Sequence, residues 1–269
     1  MSEKSGRKNQ EPLLRISLFC GAALVVVSMM LLPAFVNSGQ TAAAASGTVS
    51  PSPKVINIVT ITSDPATQAV IKKHLKSTDI VSSFSINTFS KFPGQKHLLE
   101  ANSIPVIQQD IKTAATSGVK IDYIAYDNEA SNGAGSTPPS ELVNPAASTN
   151  QAMSIIKAAG YSSGISPTRR ILLSEYAGLD FSNINQVDIQ LQKVVGNSQF
   201  QSVPGTVIPY AKAKNPSVQV TAQISPSLAT NTDIVNSLNT ISSQIDGVCI
   251  MWNGSDATVL ESLLIALGR

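Results

Sequence analysis

From Val55 onward, short β-branched runs alternate with longer segments of helical periodicity. That alternation restricts the chain to parallel strands joined by helical crossovers. Strand signals lie at residues 55–62, 80–89, 121–127, 162–166, 187–192, 218–224 and 248–252, and helical signals at 65–76, 104–117, 148–159, 168–176, 204–214, 233–245 and 257–267. Residues 95–102 are ambiguous and have room for an eighth strand. Eight units in about 215 residues fit the lower size range of a (β/α)8 barrel, so an α/β fold of the TIM type is expected, complete or one unit short. A doubly wound open sheet shares the alternation. The turn after the first strand reads Thr62-Ser63-Asp64-Pro65, without the glycines of a phosphate loop, which favours the barrel.

Ahead of this domain the composition changes. Residues 1–15 form a basic tail with Lys4, Arg7, Lys8 and Arg15, and residues 16–36 contain no charged side chain. The pair reads as a cytoplasmic tail and a transmembrane anchor, or as a signal peptide whose cleavage would fall near the small residues at 41–45. Either way the domain is expected outside, held at the cell membrane by one span or secreted. Residues 37–54, small, polar and proline-punctuated, read as a flexible linker to a barrel domain at 55–269.

Residues 16–269 hold fifteen basic and fifteen acidic groups with no clustered cationic stripe, so nucleic acid is not an expected partner. Cys20 and Cys249 are the only cysteines, too few for a disulfide scaffold or a structural zinc site, and Cys249 is expected as a buried free thiol. Nothing in the sequence asks for a metal or another cofactor. His74 and His97 have no ligand spacing, and His74, among Lys72, Lys73 and Lys76, reads as part of a solvated helix face.

In both architectures ligands bind at the carboxyl ends of the strands. Those ends are rich in amides, with Gln190, Gln192, Gln223 and Asn253 among them. An amide offers a donor and an acceptor on one plane, which suits sugar hydroxyl and acetamido groups. The most informative segment is IDYIAYDNEA at 121–130. Strand alternation puts Tyr123, Ala125, Asp127 and Glu129 on one face and Asp122, Ile124, Tyr126 and Asn128 on the other. Two carboxyls so close raise the proton affinity of at least one, as a general acid requires. Trp252, the only tryptophan, is a candidate platform for a pyranose ring, and Tyr126 is a further candidate contact.

Here the sequence resembles glycoside hydrolase family 18. Asp122, Asp127 and Glu129 match three acidic positions of its strand motif Asp-x-x-Asp-x-Asp-x-Glu, with Ala125 at the fourth. More loosely, residues 187–192 look like the later strand with a Gln in the endoglycosidase branch, and 247–252 like the last strand ending in Trp. The resemblance implies a substrate-assisted hydrolase of N-acetylglucosamine-containing glycans. Glu129 would then be the acid, Asp127 the partner of the substrate acetamide, and Gln192 and Trp252 sugar contacts. Ala125 removes a carboxylate the motif uses, so the alternative is a catalytically inactive carbohydrate-binding or envelope domain. Asn128-Glu129 also resembles the two-carboxylate retaining hydrolases, but these need a second carboxylate about 5 to 5.5 Å away. Of the later acidic residues only Asp256 reads as lying on a suitable loop, Asp188 being within a strand. Residues 130–150 read as a lid over the site or as an insertion.

Overall fold

The computed structural model describes residues 52–60, 64–129, 137–254 and 256–269. The expected tail, apolar segment and most of the linker lie outside the described residues. Eight parallel strands close into a barrel in chain order. They are β1 (Val55–Val59), β2 (Ile80–Ser83), β3 (Lys96–Ala101), β4 (Tyr123–Tyr126), β5 (Ser162–Ile165), β6 (Gln186–Gln190), β7 (Gln219–Ile224) and β8 (Gly247–Met251). The helices are α1 (Pro65–His74), α2 (Ile104–Ser117), α3 (Pro139–Leu142), α4 (Pro145–Ala158), α5 (Arg169–Glu175), α6 (Gln199–Lys214), α7 (Asn231–Asn239) and α8 (Ala257–Ala266). The barrel is closed by β8 pairing with β1, so the open sheet is excluded. At this seam Gly247 lies opposite Val55, whose carbonyl a Cβ at residue 247 would strike.

Local chemistry sets most element ends. Asp64 caps α1 by accepting from the Thr67 N–H at 2.8 Å, ahead of Pro65 in the first turn. Ser103 caps α2, and Gly118, in the left-handed conformation at φ 70°, ends it. The strand expected at 80–89 stops at Ser83, and the connection from β2 to β3 holds a 3-10 helix at Ile86–Lys91 and no α-helix among the described residues. Helix α6 begins at Gln199, not at the proline read as its start, and holds Pro204 and Pro209 inside it. Of the expected lid, 130–136 lie outside the described residues, and the rest supplies α3 and the start of α4.

Each strand has two unlike faces. The outer face carries Ile56, Ile58, Ile124, Ile189, Ile224 and Ile250, all 0% exposed, against the helices. Each such side chain contributes about 1.5 to 3 kcal/mol, which makes this layer the main source of stability. On the inner face Ile80, Leu98 and Ala125 form a small separate apolar core with Tyr123 and Val55.

The floor carries a device repeated at every even-numbered strand. The residue just before the strand accepts a hydrogen bond from a backbone N–H of the odd strand preceding it. Asp79 accepts from Ile56 at 2.8 Å, Asp122 from His97 at 3.0 Å, Asn185 from Ser163 at 2.9 Å and Asp246 from Val220 at 2.9 Å. The three acids also meet cations: Asp79 with Arg269 at 3.0 Å, Asp122 with Lys120 at 2.7 Å and Asp246 with Lys212 at 2.8 Å. The fourth position, an asparagine, has no charge to balance.

Candidate functional site

Inward-facing residues of odd and even strands stack in layers of four, as the pairing registers require. Above the apolar floor come Asn57, Leu98, Gly164 and Thr221, then Ser82, Ala125, Asp188 and Cys249, then Val59, Glu100, Ser166 and Gln223. The mouth layer holds Asp127, Gln190 and Met251, with Glu129 above it and Phe84 exposed just past the end of β2. The inward carboxyls Asp188, Glu100, Asp127 and Glu129 therefore lie one above another toward the carboxyl ends of the strands.

Asp127 and Glu129 reach this interior because the extended backbone of β4 continues past Tyr126. The Asp127 N–H donates to the Ala101 carbonyl at 2.8 Å, and the Tyr126 and Asn128 carbonyls accept from Ser166 and Thr168, both at 3.1 Å. Alternation therefore persists to residue 129. The Thr137 hydroxyl accepts from the Glu129 N–H at 2.9 Å. Gln190 Nε2 donates to Glu129 Oε1 at 2.9 Å and to the Ser166 carbonyl at 3.0 Å, tying β6 to the acidic strand end. Asp127 is 9% exposed, and its Oδ1 has no hydrogen-bond partner among the described residues.

Two further carboxyls lie below this pair. Glu100 is 5% exposed and Asp188 4%. Thr221 Oγ1 donates to Asp188 Oδ1, and the Cys249 thiol also bonds this carboxylate. Burial, then the charges of Asp127, Asp188 and Glu129, hold Glu100 well above the usual carboxylate range. Asp127 is raised in the same way, by burial and then by Glu129 and Asp188. Burial pushes Asp188 up to about 7, against the opposing thiol hydrogen bond. The Cys249 thiol is pushed up by burial and by Asp188, so the expected buried, free cysteine belongs to this network. Among the described residues no three acidic, histidine or cysteine groups have the arrangement of a metal site.

Sequence reasoning missed Glu100 and passed over Asp188. Glu100 sits in the ambiguous stretch, beside Ala125 in register, and the shared parity of Leu98 and Glu100 was its only signal. Phe84 and Met251, 48% and 38% exposed at the ends of β2 and β8, were missed as well.

Several expected contacts are placed elsewhere. Tyr126, 0% exposed, lies on the outer face, where its hydroxyl donates to Glu141 Oε2 at 2.6 Å. Glu141 also accepts from the Ile104 N–H, so this pair anchors the start of α2 and takes no part in the mouth. Trp252 continues the outward parity of Val248 and Ile250; it is 5% exposed and belongs to the apolar layer. Gly254 covers it so closely that a Cβ there would meet the ring at 2.8 Å, so the indole presents no free face. Gln223 lies one layer below the mouth and Gln192 just past the end of β6; both are buried, each with an Oε1 that has no partner among the described residues. Asn253 is exposed on the loop after β8. Asp256 caps α8 through the Thr258 N–H at 3.0 Å. His74 is not solvated: its side chain is 8% exposed and meets Glu261 at 3.0 Å.

No protein-family model matches the chain, and no curated protein matches it. Solved structures similar to it share the barrel. A putative aldo-keto reductase from Pseudomonas aeruginosa has a TM-score of 0.51 at 10% identity, over 79% of this chain and 88% of that one. A GH128 (subgroup VII) oligosaccharide-binding protein from Cryptococcus neoformans has a TM-score of 0.50 at 11% identity, over 83% and 97%. A GH128 (subgroup I) endo-beta-1,3-glucanase from Amycolatopsis mediterranei, in complex with laminaripentaose, has a TM-score of 0.50 at 8% identity, over 80% and 98%. At these identities the likeness concerns the fold alone, and unlike chemistries share that fold. The chain is a (β/α)8 TIM barrel.

Proposed function

We propose that the barrel acts on glycans containing N-acetylglucosamine, outside the membrane, with Glu129 as general acid and Asp127 as the group that orients and charge-balances the substrate acetamide. The observation that carries this reading is the inward pairing of Asp127 and Glu129 at the mouth, with Gln190 holding one Glu129 oxygen at 2.9 Å. The other Glu129 oxygen is left to deliver a proton to the glycosidic oxygen as the bond to the anomeric carbon breaks. The acetamide oxygen attacks that carbon, and Glu129 then takes a proton from the water that completes hydrolysis. Phe84 and Met251 offer the apolar surface that Trp252, covered by Gly254, does not. Gln192, Gln223 and Asn253 remain candidate sugar contacts, for which a partnerless amide oxygen on each of the first two is the supporting feature.

The test is release of reducing ends from chitooligosaccharides and N-glycans by the full chain. Glu129→Gln should lower turnover by about 10²- to 10⁴-fold with unchanged circular dichroism; equal turnover in that variant rejects Glu129 as the acid. A second reading, a glycan-binding barrel without turnover, is favoured by Ala125 standing where the family-18 motif has a carboxylate. It predicts retention of these glycans without cleavage, and absence of both binding and cleavage removes the carbohydrate assignment altogether.

A further inference from the structure

We infer that Glu100 is a positioning residue that stores the proton exchanged with Asp127, and so sets the charge of Asp127 from the neighbouring strand. The role in catalysis rests on the function proposed above; the proton sharing does not.

The placement carries the argument. Glu100 pairs in register with Ala125 on the same inward face, and its layer lies between that of Asp127 above and that of Asp188 below. Strand β4 turns Asp127 and Glu129 toward it, β6 turns Asp188 and β8 turns Cys249. Strands β1, β2, β5 and β7 contribute the uncharged Asn57, Val59, Ser82, Ser166, Thr221 and Gln223. Among the described residues no Lys, Arg or His stands in these upper layers. Carboxyls buried together without a cation do not all ionise; neighbours share protons instead. The raised proton affinities of Glu100 and Asp127 agree with this arrangement.

In the resting site Glu100 and Asp127 together hold one proton. As the glycosidic bond breaks, with its proton supplied by Glu129, positive charge develops on the attacking acetamide. The shared proton then sits on Glu100 and Asp127 faces the acetamide as a carboxylate. When Glu129 removes a proton from water and the hydroxyl oxygen bonds the anomeric carbon, the acetamide is regenerated and the proton is shared again. The pair ends with the proton it began with, and water is the only co-reactant.

The test follows the carboxyl carbons by NMR in the full chain labelled with ¹³C at Asp and Glu. In Glu100→Gln, which keeps size and hydrogen-bonding capacity, the Asp127 titration should move down by at least about one pH unit, a tenfold loss of proton affinity. Reciprocally, Asp127→Asn should move the Glu100 titration down, because coupling between two sites is mutual. Glu100→Asp should keep part of the coupling. A folded Glu100→Gln chain whose Asp127 titrates as in the wild type overturns the inference. Should that variant not fold, an unmoved Glu100 titration in Asp127→Asn overturns it equally. Where hydrolysis is measured, the pH profile of kcat should follow the Asp127 titration while KM stays within about twofold. Absence of hydrolysis would defeat the proposed function and leave the NMR result to decide the proton store.

Discussion

The two ends of the barrel treat acidic side chains in opposite ways. At the floor Asp79, Asp122 and Asp246 each accept a backbone hydrogen bond and each meet a cation within 3.0 Å. Higher in the interior, Glu100, Asp127 and Asp188 are buried, and none is salt-bridged among the described residues. The floor acids fasten strands in their ionised form. The upper acids sit where ionisation is penalised, so their proton occupancy is adjustable. One sheet thus separates the work of holding the fold from that of holding a labile proton.

The largest difference between the two ends is expected in their response to pH. Burial pushes Asp188 from an ordinary 3.8 to about 7 in the fold, so the folded state binds its proton more tightly than the unfolded state. The resulting stabilisation is fully present below about pH 4 and is lost as pH rises through about 7, on the order of 4 kcal/mol from this group. Glu100 and Asp127 act in the same direction. Denaturant unfolding at pH 4.5 and pH 8 should show the loss, and Asp188→Asn should flatten it; equal stability at both pH values would erase the contrast. Next in size is Arg269→Met, which leaves the buried Asp79 without its cation and should cost about 3 to 5 kcal/mol, measured by urea denaturation.

The smaller effects concern the mouth itself. Trp252→Ala should cost about 3 kcal/mol of stability because the indole is part of the packed layer. Phe84→Ala should change stability by less than about 0.5 kcal/mol and weaken glycan binding about fivefold, through loss of an exposed apolar face. Calorimetric titration and thermal melts on both variants separate these outcomes, and a reversal of the two patterns would restore Trp252 as the platform.

Seven of the strands, the alternation with helices and the shared face of Asp127 and Glu129 were legible in the sequence because they follow from periodicity. The eighth strand was not, because Lys96–Ala101 reads KHLLEA, which mixes good helix formers with a charge that becomes buried only when the barrel closes. Glu100 was hidden for that same reason. Asp188 was visible, yet a carboxylate inside a strand gains meaning only when the opposite strands bring Glu100 and Asp127 near it. Trp252 and Tyr126 face outward, as strand alternation assigns them: an aromatic residue at a strand end follows its parity into the packed layer. Phe84 and Met251 carried no chemical signal of their own, and their exposure is a property of the closed ring.

The four fastenings at the floor have a consequence for the chain's modularity. Each joins an odd strand to the even strand that follows, and β5–β6, the shortest ladder of the ring with only Gly164↔Gln186 and Ile165↔Val187 in register, is among the pairs so fastened. The longest ladders, β6 with β7 and β8 with β1, carry no such fastening, so the floor bonds even out the ring and the chain does not fall into separable tiles.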